Sequence, residues 1–160
     1  MTSCWVNPNR NNLPQDEIGK RLLAALGGRK MIWTPGIKGQ DITDFHIDAL
    51  ARFVGPGKLL IQLGETVDRD DPWSVAGHET LQLLRSATTA DGKLLDITRL
   101  DDPVDIRSRR KDFVASYVNY YVANGAVIAP QFGDRRADAK ARELLASLYP
   151  GRAVEMIEID

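Results

Sequence analysis

One order of structural signals occurs twice in this chain of 160 residues, and that repetition constrains the fold more than any other feature. In the first copy, strands are expected from Ile47 to Val54 and from Lys58 to Leu63, flanking the turn Gly55-Pro56-Gly57. A helix follows from Pro72, a favoured first helical residue after Asp71, to about Thr89, with Val75, Leu81, Leu84 and Arg85 at helical spacing. Asp91-Gly92 ends it, and Leu94 to Leu100 returns as a strand. The second copy places strands at Tyr117 to Ala123 and Ala126 to Ala129 around the tight-turn pair Asn124-Gly125. Asp134 caps a helix to Leu148 whose apolar face is Ala141, Leu144, Leu145 and Leu148, and Ala153 to Ile159 is the last strand.

Upstream stands half of a third copy. Residues 14 to 26 predict a helix with Ile18, Leu22, Leu23 and Leu26 on one face, stopped by Gly27-Gly28, before a short strand at Met31-Ile32-Trp33. The chain therefore reads as one partial α/β domain built from modules at about 1–34, 46–100 and 116–160. The two hairpins begin roughly 70 residues apart, and units of this kind bury their apolar faces against neighbours. Asp160 halts directly after an apolar strand, so the sequence is expected to be a piece of a longer array.

Twenty-one Lys+Arg against 22 Asp+Glu leave almost no net charge, and no basic stripe appears, which argues against a nucleic-acid partner. No apolar run approaches the ~20 residues of a membrane span, and Met1 to Trp5 lacks the basic head and apolar stretch of a signal peptide. Cys4 is the only cysteine, which rules out a disulfide within the chain and fits a reducing cytoplasm. Beside Trp5 and Val6 it reads as a small buried hydrophobe.

Reactive side chains concentrate in Asp41-Ile42-Thr43-Asp44-Phe45-His46-Ile47-Asp48. If this run enters a strand, His46 and Asp48 project to one side and Ile47 to the other, with Asp44 on the side of His46. Imidazole beside carboxylates can exchange protons near neutral pH, and carboxylates hold a planar guanidinium through paired hydrogen bonds. His and Asp are also metal ligands, although the only other histidine, His78, lies mid-helix. A polar loop leading into a strand explains the same residues. The cluster Asp68, Asp70 and Asp71 reads as a solvated helix entrance, and Gly27-Gly28-Arg29 is too short for a phosphate loop.

Five ordered stretches resemble the agmatine deiminase family, which is the bacterial-type peptidyl-arginine deiminase family. Trp5 to Asn11 is similar to its "LLNPNRN", Ile32 to Ile37 to "IWLPxGI", and Asp41 to Asp48 to "DxTDGHxD". Ala51 to Gly57 follows as "xxFVxPG", and Ala115 to Asp134 resembles "ASYVNFYxxNGxxxxPxFGD". The resemblance implies a five-bladed pentein propeller, of which this chain holds about two and a half strand–strand–helix–strand blades. It implies hydrolysis of agmatine to N-carbamoylputrescine and ammonia without a cofactor, through attack of a cysteine thiolate on the guanidinium carbon. By match to "HxD", His46 and Asp48 are the expected catalytic residues, His46 as the general acid–base and Asp48 as the guanidinium-binding carboxylate, with Asp44 and Asp41 as further candidates for meeting the substrate amine or orienting His46.

Phe45 stands where the family has glycine. The nucleophile segment "GGGNIHCITQQ" and an upstream "EGG" segment have no counterpart in these 160 residues, and Cys4 matches an ordinary cysteine of "TEECLLN". The polypeptide by itself is therefore expected to lack deiminase activity. The alternative is a non-catalytic subunit or guanidine-binding module that assembles with itself or with the remainder of a propeller.

Overall fold

Left-handed backbone at Gly57 (φ 70°) and Gly125 (φ 84°) closes two hairpins, a conformation that a side chain would oppose. The computed structural model describes residues 3–8, 10–39, 45–110 and 113–159. Strands β1 (Ala51–Gly55) and β2 (Lys58–Gln62) pair antiparallel around the first turn, and β3 (Asp96–Leu100) completes a sheet in the order β1-β2-β3. Around the second turn β4 (Tyr121–Ala123) pairs antiparallel with β5 (Ala126–Gln131). Strand β6 (Ala153–Glu158) then runs parallel to β5, from Ala126 opposite Ala153 to Gln131 opposite Glu158. The two three-stranded sheets share one order, a hairpin followed by a third strand beside its second member.

Among the described residues three α-helices are bounded by local chemistry. Helix α1 (Gln15–Leu26) carries Asp16 and Glu17 in its first turn, where acids favour the positive helix end. Gly27 (φ 65°) ends it, donating its backbone N–H to Leu23 O. Helix α2 (Pro72–Ser86) begins on Asp71, whose carboxylate accepts the Trp73 N–H at 2.9 Å. Asp134 caps helix α3 (Arg135–Leu148) by accepting from Arg136 N and Ala137 N.

Contacts divide the chain into two compact units, one of residues 1–47 and 67–97, the other of 48–66 and 98–160. The division runs through the middle module instead of between modules. In the second unit Leu60, Leu100, Tyr117, Val118, Val127, Phe132, Ala141, Leu145 and Val154 form a continuous core, with Leu144 and Leu148 packed against it. Leu145 is fully buried, so truncation to alanine removes about 3 kcal/mol. In the first unit Ile18, Ile37, Ala76, Leu81 and Leu84 are buried, and Gly19 lies against the Trp33 indole.

Several expectations need correction. The face predicted for α1 holds only in part, since Leu22 and Leu23 are half-buried and Leu26 is 74% exposed. Helix α2 ends at Ser86, three residues early, because the Thr88–Leu94 bridge draws the chain away. Residues Met31 to Trp33 form no strand, with Thr34 alone in a bridge, and residues Tyr117 to Asn119 form a turn before β4. The strand expected from Ile47 begins at Ala51, because Ile47–Ala49 is one turn of 3-10 helix. Among the described residues no helix is long and apolar enough to cross a membrane.

Candidate functional site

In the first unit, the approach to His46 is set by Phe45. Among the described residues Phe45 is the only non-glycine with positive φ, at 68°. That left-handed conformation costs a residue with a Cβ roughly 1 kcal/mol or more, whereas glycine takes it freely. Its ring recovers the cost by burial, meeting the ring of Trp73 edge-on at 5.2 Å and 66°. Trp73 is itself placed by the Asp71 cap of α2. His46 follows, half-buried, with Nε2 3.4 Å from Arg10 Nη2. A guanidinium can only donate, so Nε2 is the acceptor in this contact.

In the second unit, Asp48 sits in the 3-10 turn and is exposed. The strand alternation that would have put His46 and Asp48 on one face does not apply, since side chains of a 3-10 turn step by about a third of a circle. What holds Asp48 is tertiary. Its Oδ2 accepts from Asn119 Nδ2 at 3.3 Å. The next residue, Ala49, accepts at its carbonyl from Ser116 Oγ at 2.8 Å, and Leu50 O accepts from Gln62 N at 2.9 Å. Gln62 is buried in β2, and its side chain works in both directions. Its Oε1 accepts the Tyr117 N–H at 2.6 Å, while Nε2 donates to Ala115 O and to Asp102 Oδ1, each at 2.8 Å. Lost hydration pushes the Asp102 carboxyl above the ordinary carboxylate range, opposed by the bonds from Gln62 and the Gly64 backbone.

Asp41 and Asp44 lie outside the described residues. Cys4 is buried, and Asp68 and Asp71 orient the entry to α2, Asp68 Oδ1 accepting from Asp70 N. His78 is half-buried on α2. Among the described residues no group of three or more His, Cys, Asp or Glu could hold a metal ion. A groove of about 970 Å³ between α3 and β6 is lined by Arg107, Arg142, Glu143 and Glu158, and Asp48 takes no part in it. Arg10, Ser116 and Asn119 had no role in the sequence reading, although all three lie in the stretches that carry the resemblance. Gln62 carried no local signal at all.

Comparison with known proteins agrees along the whole length. The family model described as Porphyromonas-type peptidyl-arginine deiminase matches residues 1–160. An agmatine deiminase of Medicago truncatula is 37% identical over 175 residues, covering 97% of this chain and 46% of its own length. Among solved structures, the agmatine deiminase of Enterococcus faecalis superposes with a TM-score of 0.83 at 27% identity, covering 99% of this chain and 48% of its own. The C. jejuni agmatine deiminase solved with substrate bound gives 0.80 at 27% identity, covering 99% and 46%. The chain thus spans about half the length of the relatives it matches. Its mixed α/β fold is the one these structures share.

Proposed function

This chain belongs to the Porphyromonas-type peptidyl-arginine deiminase family, and we propose that the full-length protein hydrolyses agmatine to N-carbamoylputrescine and ammonia. The observation that carries this is the pairing of the "HxD" residues with relatives named agmatine deiminase, in a chain similar to them across 97% of its length. In the proposed reaction a cysteine thiolate adds to the guanidinium carbon, and the C–N bond to one terminal nitrogen breaks. His46 supplies the proton with which that nitrogen leaves as ammonia. His46 then takes a proton from water, which attacks the same carbon and releases the ureido product with the thiolate restored.

Asp48 holds the guanidinium by accepting its N–H groups. Its exposure and its anchored Oδ2 support that role, since a carboxylate presented in a fixed plane matches a planar fork of donors. The half-buried imidazole of His46 already lies beside one guanidinium, 3.4 Å from Nε2, which supports its meeting a substrate guanidine. The substrate is a small guanidine, with peptidyl-arginine the competing member of its class. A product of this kind feeds putrescine synthesis, and a cytoplasmic setting agrees with the single buried thiol.

The test is ureido-product formation by the full-length protein from agmatine and from an arginyl peptide. Agmatine is expected to be turned over, and His46→Ala and Asp48→Ala each to lower kcat/KM by about 100-fold or more. Turnover unaffected by either substitution would refute the assignment. The 160-residue polypeptide alone is expected to form no more product than its own His46→Ala variant, because Cys4 is buried.

A further inference from the structure

Two short stretches of the second unit are laced together from both directions. Residues 48–52 and 116–120 share four hydrogen-bonded contacts. Ser116 Oγ reaches Ala49 O at 2.8 Å, and Asn119 Nδ2 reaches Asp48 Oδ2 at 3.3 Å. In return, the Arg52 guanidinium donates to Val118 O and to Tyr120 O, the carbonyls on either side of Asn119. It also lies over the Tyr120 ring, 4.0 Å from the centroid. Tyr117, Val118 and Tyr120 are buried, yet Asn119 between them is exposed. The backbone under Asn119 is therefore rigid, while its side chain contributes nothing to the core. An exposed amide on a buried, doubly clamped turn serves whatever it touches, and it touches Asp48.

Resting on the reading of Asp48 as the guanidinium-binding carboxylate, we infer that Asn119 is a positioning residue that fixes the plane of the Asp48 carboxylate. A free aspartate turns about two side-chain bonds, so its two oxygens sample many planes. Tying Oδ2 to an amide on a rigid turn removes that freedom before substrate arrives. Pre-set orientation of this kind is worth about an order of magnitude in kcat/KM, through binding, when the partner is as directional as a guanidinium. Ser116 supports the arrangement by holding the adjacent carbonyl of Ala49, which keeps the 3-10 turn in register with Asn119.

The experiment is a double-mutant cycle in the full-length protein, read as kcat/KM and as the Kd for agmatine by calorimetry. Asn119→Ala is expected to lower kcat/KM about 10-fold, carried by KM, with Tm within about 2 °C of the parent. In an Asp48→Asn background the same substitution is expected to change either quantity less than 2-fold, because no carboxylate remains to be oriented. Asn119→Asp, of equal shape but with a second carboxylate facing the first, is expected to lose more than Asn119→Ala at neutral pH. Equal losses from Asn119→Ala in both backgrounds, no loss in the parent, or an Asn119→Asp variant of parental activity would overturn the inference. If instead Asp48→Asn is itself silent, the failure lies with the proposed role of Asp48.

Discussion

The peptide leading to His46 is held against its own preference, whereas the turn carrying Asp48 is held by polar ties. Phe45 adopts left-handed backbone at φ 68° and is kept there by a buried ring against Trp73. Residues Asp48, Ala49 and Leu50 accept hydrogen bonds from Asn119, Ser116 and Gln62 in succession. The first arrangement depends on van der Waals packing offsetting strain, the second on leaving no polar group unmatched. Two candidate residues that are sequence neighbours therefore fail for different reasons, and substitutions can tell the two apart.

The largest expected effect breaks the packing arm. Phe45→Ala removes the ring and keeps the strain, so urea denaturation should show a loss of about 3 kcal/mol. Phe45→Gly loses the same ring but takes the left-handed conformation freely, so its loss should be smaller by about 1 kcal/mol. This inverts the usual order, in which glycine is worse than alanine. An ordinary order would mean that strain at Phe45 contributes nothing.

Next comes the polar arm. Gln62→Leu keeps the volume but strands the Tyr117 N–H and takes one of its donors from the Asp102 carboxyl, for a loss of about 2 kcal/mol by the same measurement. A neutral result would show that the Gln62 side-chain bonds to Tyr117, Ala115 and Asp102 are dispensable to the fold.

A smaller effect comes with a pH signature, at the N-cap of α3. Asp134 accepts from Ala137, Arg136, Val104 and Asp105 backbone N–H groups, and these bonds lower its pKa from 3.8 to about 2. A carboxylate with a depressed native pKa stabilises the fold above its unfolded value and loses that contribution as pH falls through the native one. Asp134→Ala should thus cost about 1 kcal/mol at neutral pH, and the gap to the parent should close as pH drops from 3.8 toward 2. A gap constant over that range would mean that the charge is irrelevant to the cap.

Local signals decided a good part of this molecule. The starts of α2 and α3 were legible because Asp71 and Asp134 cap helices with bonds that span two or three residues. Both hairpins were legible because Gly57 and Gly125 supply the backbone that such turns require. The repeat order and the family resemblance follow from patterns of the same short reach, which any conformation of the chain carries. Tertiary structure alone decided the rest. Asn119 and Asp48 are 71 residues apart, and nothing near either one announces the other. The 3-10 turn at Ile47–Ala49 replaced an expected strand because Ser116 and Gln62 take the carbonyls of Ala49 and Leu50. Phe45 could adopt a conformation foreign to its side chain only because the fold brings Trp73 to its ring. A capping bond is formed within its own helix turn, but a bond across 71 residues exists only once the core has closed the loop between its ends.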